Sequence, residues 1–466
     1  MGQIRWVSVI AMLTLSGLIH AESLMSLWAK AQESNPTLKQ TEYAVEQAKA
    51  QQDQVMSKLL PSVALTGQYS YNQRGYSNNA TSVVLGGNYY PGYQTSLRLN
   101  QILFDLPAYL NVKGAELAAQ QNEQQALAAR MQVGLDLVDA YLLVLETEDV
   151  LDQLKAENEF MEGQLRGMRL QYEMHMAKVT DLLEVEAYNK KLKNQEITAR
   201  NKRALALEAL RKVSGLAPTH LDVLLIKEFP PVEKSEDYWV EEALAHNPKL
   251  MALKFAVDGA QKKIESSKAE HLPTVSAYGS ETLANIGYNN LQVTNGGGSY
   301  YNVTSAGVMV NVPLYAGGGL EAGVGVSVAT YQQAREKHEE ERRTVEHKTR
   351  SAFLTATASQ SGIEAAREEI DFREQTLIAE KRSYELGKST IVDMLEAHRK
   401  LLQAEIDGNK IKYDYIRSVI ELRMNAGSLA DLDLEALAPW FGPKPENSGR
   451  MADRSVRRLT LPPRPP

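Results

Sequence analysis

Residues 384–397 read Tyr-Glu-Leu-Gly-Lys-Ser-Thr-Ile-Val-Asp-Met-Leu-Glu-Ala and lie in a long span without proline. The stretch predicts a helix that ends at Gly387 and a second helix that starts shortly after it. Glycine readily takes the left-handed conformation that ends many helices, and Ser389 or Thr390 supplies an oxygen that can cap the next one. The two helices are therefore expected to fold back on each other as a hairpin.

The same phrase occurs 212 residues earlier, where Tyr172 corresponds to Tyr384 and Asp181 to Asp393. A repeat of this length indicates a duplicated domain rather than a solenoid of short repeats. The sequence therefore predicts two copies of one unit, residues 22–230 and 231–438. Further matches at an offset of 211 or 212 are Asn35-Pro36 with Asn247-Pro248, Leu60-Pro61 with Leu272-Pro273, Leu103-Phe104 with Leu314-Tyr315, and Gly215 with Gly427.

Composition and the two termini limit the class of protein. The 466 residues carry a net charge of −7, which gives no reason to expect a nucleic-acid partner. The chain has no cysteine, so disulfides and thiolate metal sites are excluded. Residues 1–21 have a short basic start, an apolar run and a small residue at the end, as expected of a secretory signal peptide. The Pro- and Arg-rich residues 439–466 are predicted to be a disordered tail.

Each predicted unit consists of a helix, two strands joined by a loop, and a long helical hairpin. Val63, Leu65 and Tyr69 alternate with polar residues at strand spacing. A strand needs about 9–11 residues to span a bilayer, and the four predicted strands are of that order. Four strands cannot close a barrel, since the smallest outer-membrane barrels have about eight. If the strands span the membrane, three chains would supply a 12-stranded barrel.

The helical segments determine the length of the predicted α+β membrane protein. Residues 108–174, if continuous, would extend about 100 Å at the helical rise, which no globular core requires. Such helices suit a helical barrel that projects into an aqueous space. Residues spaced by seven form a coiled-coil stripe that is expected to pack neighbouring helices. They are Ala356, Ile363, Ile370, Leu377 and Tyr384. The alternative is a periplasmic coiled-coil scaffold or adaptor that does not span the membrane.

Together these features resemble the TolC family of outer-membrane efflux and secretion channels. The resemblance spans about residues 22–437 and includes Asn-Pro-x-Leu at residues 35–38, Val-Pro-Leu-Tyr-Ala-Gly-Gly at residues 312–318, and the opening stretch. It implies a homotrimer in the outer-membrane lipid of a Gram-negative bacterium, with a 12-stranded barrel and a long periplasmic helical tunnel. It also implies passive export of small molecules or polypeptides, with a periplasmic adaptor and an inner-membrane pump of the RND or ABC type docking at the closed tip.

The resemblance also implies which residues act at that tip. The matching acidic residues, Asp393 and Glu396, would ring the constriction, and three copies would bring six carboxylates together. Like charges at such a ring are expected to raise some pKa values and to attract cations. The acids could otherwise form a general acid–base pair, but their duplicated setting favours a pore ring. No metal-ligand spacing or phosphate-binding motif is present. We therefore expect neither an enzyme nor a cofactor.

Polar links near the tip hold the closed state in this family. The matching positions are Thr180 and Asp181 after the first turn, and Tyr384 before the second turn, which lies at Gly387. This chain has Ser389 where the best-known member has an arginine, which leaves Lys388 as a substitute without bidentate geometry. His175 stands where the first motif usually has glycine.

Overall fold

The structure, a computed structural model, describes residues 23–74, 88–218, 220–226, 228–286, 299–427, 435 and 437–443. The predicted signal peptide and most of the predicted tail lie outside these residues. No described helix is long and apolar enough to cross a membrane. The helices are α1 (Leu24–Ser34), α2 (Pro36–Ser57), α3 (Leu106–Glu173), α4 (Val179–Ser214), α5 (Glu236–His246), α6 (Pro248–Ala269), α7 (Gly319–Glu385) and α8 (Ile391–Asn425). The strands are β1 (Ser62–Arg74), β2 (Asn88–Phe104), β3 (Val223–Leu224), β4 (Thr274–Ile286), β5 (Ser299–Asn311) and β6 (Phe441–Gly442).

The first predicted helical segment is divided into two helices at Asn35. Proline lacks the backbone N–H that a continuous helix would use, and it is well placed in the first turn of a new helix. The same break recurs between α5 and α6, where the Asn247 side chain accepts hydrogen bonds from the backbone N–H groups of Lys249 and Leu250 at 3.0 and 3.4 Å. Each half of the chain thus begins with a short helix followed by a longer one.

The four strands that the alternating pattern predicts form one antiparallel sheet, in the order β1-β2-β4-β5. Val63 lies opposite Leu99 and Tyr69 opposite Tyr93. Strand β5 ends at Asn311 rather than extending through Leu314 as the alternation suggested. The reason is Pro313, which cannot donate to a strand ladder. Gly317 and Gly318 then take positive φ angles of 62° and 81° before α7 begins.

The two faces of this sheet differ in polarity. One face exposes apolar and aromatic side chains; among them are Val63, Leu65, Tyr69, Tyr71, Tyr93, Leu97 and Leu99. Tyr69 stacks on Tyr93 with ring centroids 6.1 Å apart. Glu281 lies on the same face and accepts a 2.6 Å hydrogen bond from Thr304. The opposite face is mainly polar, as in the 2.8 Å contact between the hydroxyls of Ser280 and Ser305.

The chain packs as two compact units that each draw on both sequence halves. Unit 1 contains residues before 37, residues 131–241 and residues after 347, and unit 2 contains residues 37–130 and 242–347. The four-stranded sheet belongs to unit 2. The largest fully buried side chains lie in unit 1 and include Leu27, Tyr141, Leu142, Leu210, Tyr415 and Ile416.

The segment predicted as a linker, around Phe229, is packed into unit 1. The Phe229 ring contacts the rings of Tyr415 and Trp440, with centroids 5.3 and 6.5 Å apart. The Tyr415 hydroxyl donates a hydrogen bond to the backbone carbonyl of Pro230. Strand β6 pairs with β3, so the segment predicted as a tail begins with an ordered element.

Candidate functional site at the hairpin turns

The second hairpin turn, between α7 and α8, has the geometry that its sequence predicts. Gly387 has a φ of +70°. Its N–H donates to the Tyr384 carbonyl at 2.9 Å, and the Lys388 N–H donates to the Ser383 carbonyl at 2.8 Å. This pair of bonds is a Schellman motif, which satisfies carbonyls that the end of a helix leaves unpaired. The glycine therefore ends α7.

Thr390 caps α8 and also determines the environment of Asp393. The Asp393 N–H donates to the Thr390 hydroxyl oxygen, while the Thr390 N–H and hydroxyl donate to the Asp393 carboxylate at 3.0 and 2.6 Å. This is a reciprocal capping box. The Ser389 hydroxyl lies 3.3 Å from the same carboxylate and 2.7 Å from that of Glu380. The bonds from the Thr390 hydroxyl and N–H lower the pKa of Asp393, so its side chain is an anion at neutral pH.

Glu396 lies one turn further along α8 and is paired with cations of its own helix. Arg399 donates to its carboxylate at 2.6 Å, and the Lys400 ammonium lies 3.6 Å away. The hydrogen bond from Arg399 lowers the pKa of Glu396. Within one chain both predicted constriction acids thus have lowered pKa values. The expected rise concerned carboxylates of neighbouring copies and stays a prediction.

The first hairpin turn, between α3 and α4, repeats this hydrogen-bond pattern without the glycine. The His175 N–H donates to the Tyr172 carbonyl at 2.9 Å, and the Met176 N–H to the Gln171 carbonyl at 2.8 Å. His175 therefore takes a φ of +59°, which is strained for a residue with a Cβ. Its side chain is exposed and has no hydrogen-bond partner among the described residues.

Replacing His175 with glycine is expected to raise the free energy of unfolding by about 0.5–1 kcal/mol. Glycine relieves the left-handed strain, and this gain exceeds the additional conformational entropy that glycine loses on folding. Thermal unfolding of the purified protein, followed by circular dichroism, measures this change. The reciprocal variant Gly387→His places the strain in the second turn and should lower stability. A destabilised His175→Gly protein would mean that the imidazole stabilises the turn in a way that the backbone geometry does not indicate.

The residues predicted to close the tip come near one another only in part. The Thr180 hydroxyl lies 3.4 Å from the Asp181 carboxylate. The half-buried Tyr384 has a raised pKa, first because of burial and then because of the negative charge of Asp181. The Tyr384 hydroxyl has no hydrogen-bond partner among the described residues, and Lys388 is exposed and forms no ion pair with them. That these residues link the hairpins and close the tip stays a prediction.

A buried polar cluster in unit 1 was not identified from the sequence. His398 of α8 has its Nδ1 3.4 Å from the Glu157 carboxylate of α3, and their side chains are 8% and 14% exposed. The Phe160 ring lies 4.8 Å from the imidazole. Burial, followed by the charges of Glu157 and Glu374, raises the pKa of Glu405 to about 7. Glu157 lies 241 residues before His398 and belongs to another helix, so periodicity gave no signal for this contact.

Comparisons with known proteins agree with this architecture. The sequence model of the family described as "Outer membrane efflux protein" matches residues 27–216 and 239–428. The chain is 27% identical to the outer membrane protein TolC of Vibrio cholerae over 423 residues, 90% of this chain and 94% of that protein. It is 26% identical to the alkaline protease secretion protein AprF of Pseudomonas aeruginosa over 382 residues, 80% and 78% of the two chains.

The fold matches a solved structure as well. The crystal structure of the Campylobacter jejuni CmeC outer membrane channel superposes with a TM-score of 0.75 at 19% identity, covering 93% of this chain and 89% of that one. At this identity the likeness concerns the fold alone. The two segments matched by the family model begin 212 residues apart, at the same offset as the recurring sequence phrases. The resemblance inferred from the sequence is confirmed.

Proposed function

The chain belongs to the outer membrane efflux protein family, the TolC family, and from this premise we propose that it forms a passive export channel for small molecules or polypeptides. It is an outer-membrane protein of a Gram-negative bacterium. Its relatives are channel proteins rather than enzymes. One relative is a TolC protein and another is a protease secretion protein. We therefore propose both small molecules and polypeptides as cargo.

The observation that carries this proposal is the four-stranded sheet with one exposed apolar face. Its end strands β1 and β5 each pair on one side only among the described residues. Unpaired edges are not tolerated in hydrocarbon, so a spanning sheet of this kind must be completed by other copies. Three copies with four strands each give a 12-stranded barrel. The exposed pairs Tyr69–Tyr93 and Tyr71–Tyr89 suit the aromatic girdle at a membrane interface.

In the proposed channel, Asp393 and Glu396 of three copies form a ring of six carboxylates at the constriction. The capping box supports this role because it fixes the Asp393 side chain and keeps it ionised. A ring of fixed negative charge favours cations in a narrow pore. Thr180, Asp181, Tyr384 and Lys388 are proposed to link the hairpins in the closed state.

The proposal includes partner proteins, because a passive channel supplies no energy. A periplasmic adaptor and an inner-membrane pump of the RND or ABC type would dock at the hairpin turns, as in tripartite efflux or type I secretion. We also propose that residues 22–230 and 231–438 arose by duplication. The two matches to one family model and the repeated element order support that history.

Neutralising the proposed constriction with Asp393→Asn and Glu396→Gln is expected to move the potassium-to-chloride permeability ratio towards one. Block by multivalent cations should weaken about tenfold or more, because the anionic ring that binds them is lost. Single-channel recording in planar bilayers measures both. The matched control is Glu364→Gln with Glu368→Gln, which removes the same charge at exposed positions of α7 outside the hairpin turns. Unchanged selectivity in the Asp393/Glu396 variant would remove these residues from the constriction.

The scaffold alternative is tested by extraction and mass. A trimeric barrel should stay in the membrane through an alkaline carbonate wash and give a trimer mass after detergent extraction. Release as a soluble monomer or dimer would contradict the channel and favour a peripheral scaffold.

A further inference from the structure

A cavity of 530 Å³ in unit 1 lies between α4 and α8, and α3 contributes to its lining. We call it the α4–α8 groove. Its apolar lining residues are Val150, Leu154, Ala199, Leu402 and Ile406. The volume falls in the range of about 300–1,000 Å³ that is usual for small-molecule sites. The groove therefore offers apolar surface of ligand size outside the hairpin turns.

The polar part of the lining is strongly cationic, although the whole chain has a net charge of −7. Four cations line the groove, Lys191, Lys202, Arg399 and Lys400, against the single carboxylate of Glu396. Arg399 and Lys400 share that carboxylate. Lys191 and Lys202 are exposed and form no ion pair within the described part of the chain. Two ammonium groups are thus available beside an apolar surface.

We propose that the α4–α8 groove binds an amphipathic organic anion, a molecule with a carboxylate, sulfate or sulfonate head and a hydrocarbon chain. The head group would accept charge-assisted hydrogen bonds from Lys191 or from Lys202, which lie eleven residues apart on α4 and therefore at opposite ends of its groove-lining face. Such bonds are stronger than neutral ones. The hydrocarbon chain would cover the apolar lining, where each buried methylene contributes about 0.8 kcal/mol. Asn194, Gln195, Thr198 and Gln403 add hydrogen-bonding groups to the lining. This inference goes beyond export, because it concerns a binding site and not conduction.

The absence of cysteine allows a direct test. Gln195→Cys, labelled with an environment-sensitive bimane in the full-length protein in neutral lipid nanodiscs, reports on this groove. Titration with decanoate should give a saturable change in fluorescence. Decyltrimethylammonium and decyl maltoside carry the same hydrocarbon chain and should give no saturable change. A label at Gln333→Cys on α7, in unit 2, controls for partitioning of the amphiphile into lipid.

The charge requirement is tested by Lys191→Gln with Lys202→Gln. We expect the affinity for decanoate to fall about tenfold, equivalent to about 1.4 kcal/mol. Lys190→Gln with Lys212→Gln removes the same charge from α4 at exposed positions outside the groove and should leave the affinity unchanged. Both double variants keep the apolar lining, so a difference between them isolates the two ammonium groups.

Three results would overturn the proposal: no saturable response to decanoate, an equal response to the three amphiphiles, or an unchanged affinity in the Lys191/Lys202 variant. A response to polyglutamate without one to decanoate would also overturn it and reassign the groove to an acidic protein partner. The readout is binding, whereas the channel is tested by conductance and mass, so either idea can fail without the other.

Discussion

Replacing Tyr141 with alanine is expected to lower the free energy of unfolding by about 4 kcal/mol, as for other large aromatic side chains removed from a core. Tyr141 is fully buried in unit 1. Its ring meets Phe441 edge to face at 5.4 Å, and its hydroxyl donates to the Asp222 carbonyl at 2.7 Å. The variant loses buried area, the ring contact and the hydrogen bond. Urea unfolding of the purified protein followed by circular dichroism measures the change.

The matched control is Tyr141→Phe, which keeps the ring and removes only the hydroxyl. Its expected loss is about 1–2 kcal/mol, because the Asp222 carbonyl is left without this donor. Similar losses in the two variants would assign most of the stabilisation to the hydrogen bond rather than to packing. A loss below about 1 kcal/mol for Tyr141→Ala would contradict the burial of this ring.

Replacing Glu405 with glutamine is expected to stabilise the protein at pH 8 by on the order of 2 kcal/mol relative to its effect at pH 4.5. Burial, and then the charges of Glu157 and Glu374, raises the pKa of Glu405 from 4.5 to about 7. A carboxyl with a raised folded pKa contributes stability that is complete below its unfolded pKa. That contribution falls as pH rises from the unfolded value of about 4.5 to about 7. Glutamine has no such titration and should remove this part of the pH dependence.

Unfolding curves between pH 4.5 and pH 8 measure the difference between wild type and Glu405→Gln. The comparison is necessary because burial also raises the pKa values of Glu146 and Glu421, which contribute in the same direction. Glu368→Gln, an exposed position on α7, controls for the loss of a carboxylate. Parallel curves for wild type and Glu405→Gln would show that this carboxyl does not titrate differently on unfolding.

The features that the sequence predicted are those that depend on neighbouring residues. The turn at Gly387 and the cap at Thr390 involve groups within a few positions of each other, so a short stretch of sequence is enough to predict them. The strands were predicted because their two faces meet different surroundings, which imposes a period of two. Of the stripe with a spacing of seven, Ala356 and Leu377 are buried, while Ile363, Ile370 and Tyr384 are partly buried.

The features that sequence reasoning missed depend on contacts between distant positions. Glu157 and His398 lie 241 residues apart, and each occurs in a helix whose surface is rich in charge. Only packing shows that these two are enclosed. The role of Phe229 was missed for a similar reason. The two prolines that follow it indicate a linker, whereas its ring contacts Tyr415 and Trp440, which are distant in sequence. The constriction residues came from family resemblance, since a single chain has no pore axis.

The one-sided pairing of β1 and β5 has a consequence for how the protein is made. Each edge that is open within the described residues presents a row of backbone donors and acceptors that can template pairing with another chain. In the proposed trimer, closing the sheet is an encounter between separate molecules, so its rate should depend on the concentration of newly exported chains. The α3–α4 hairpin, by contrast, is held by contacts near in sequence, such as the 2.7 Å ion pair of Arg169 and Glu186, and can form within one molecule. A scarce supply of chains would therefore prolong the life of a species with folded hairpins and exposed edges, the form most open to aggregation and proteolysis.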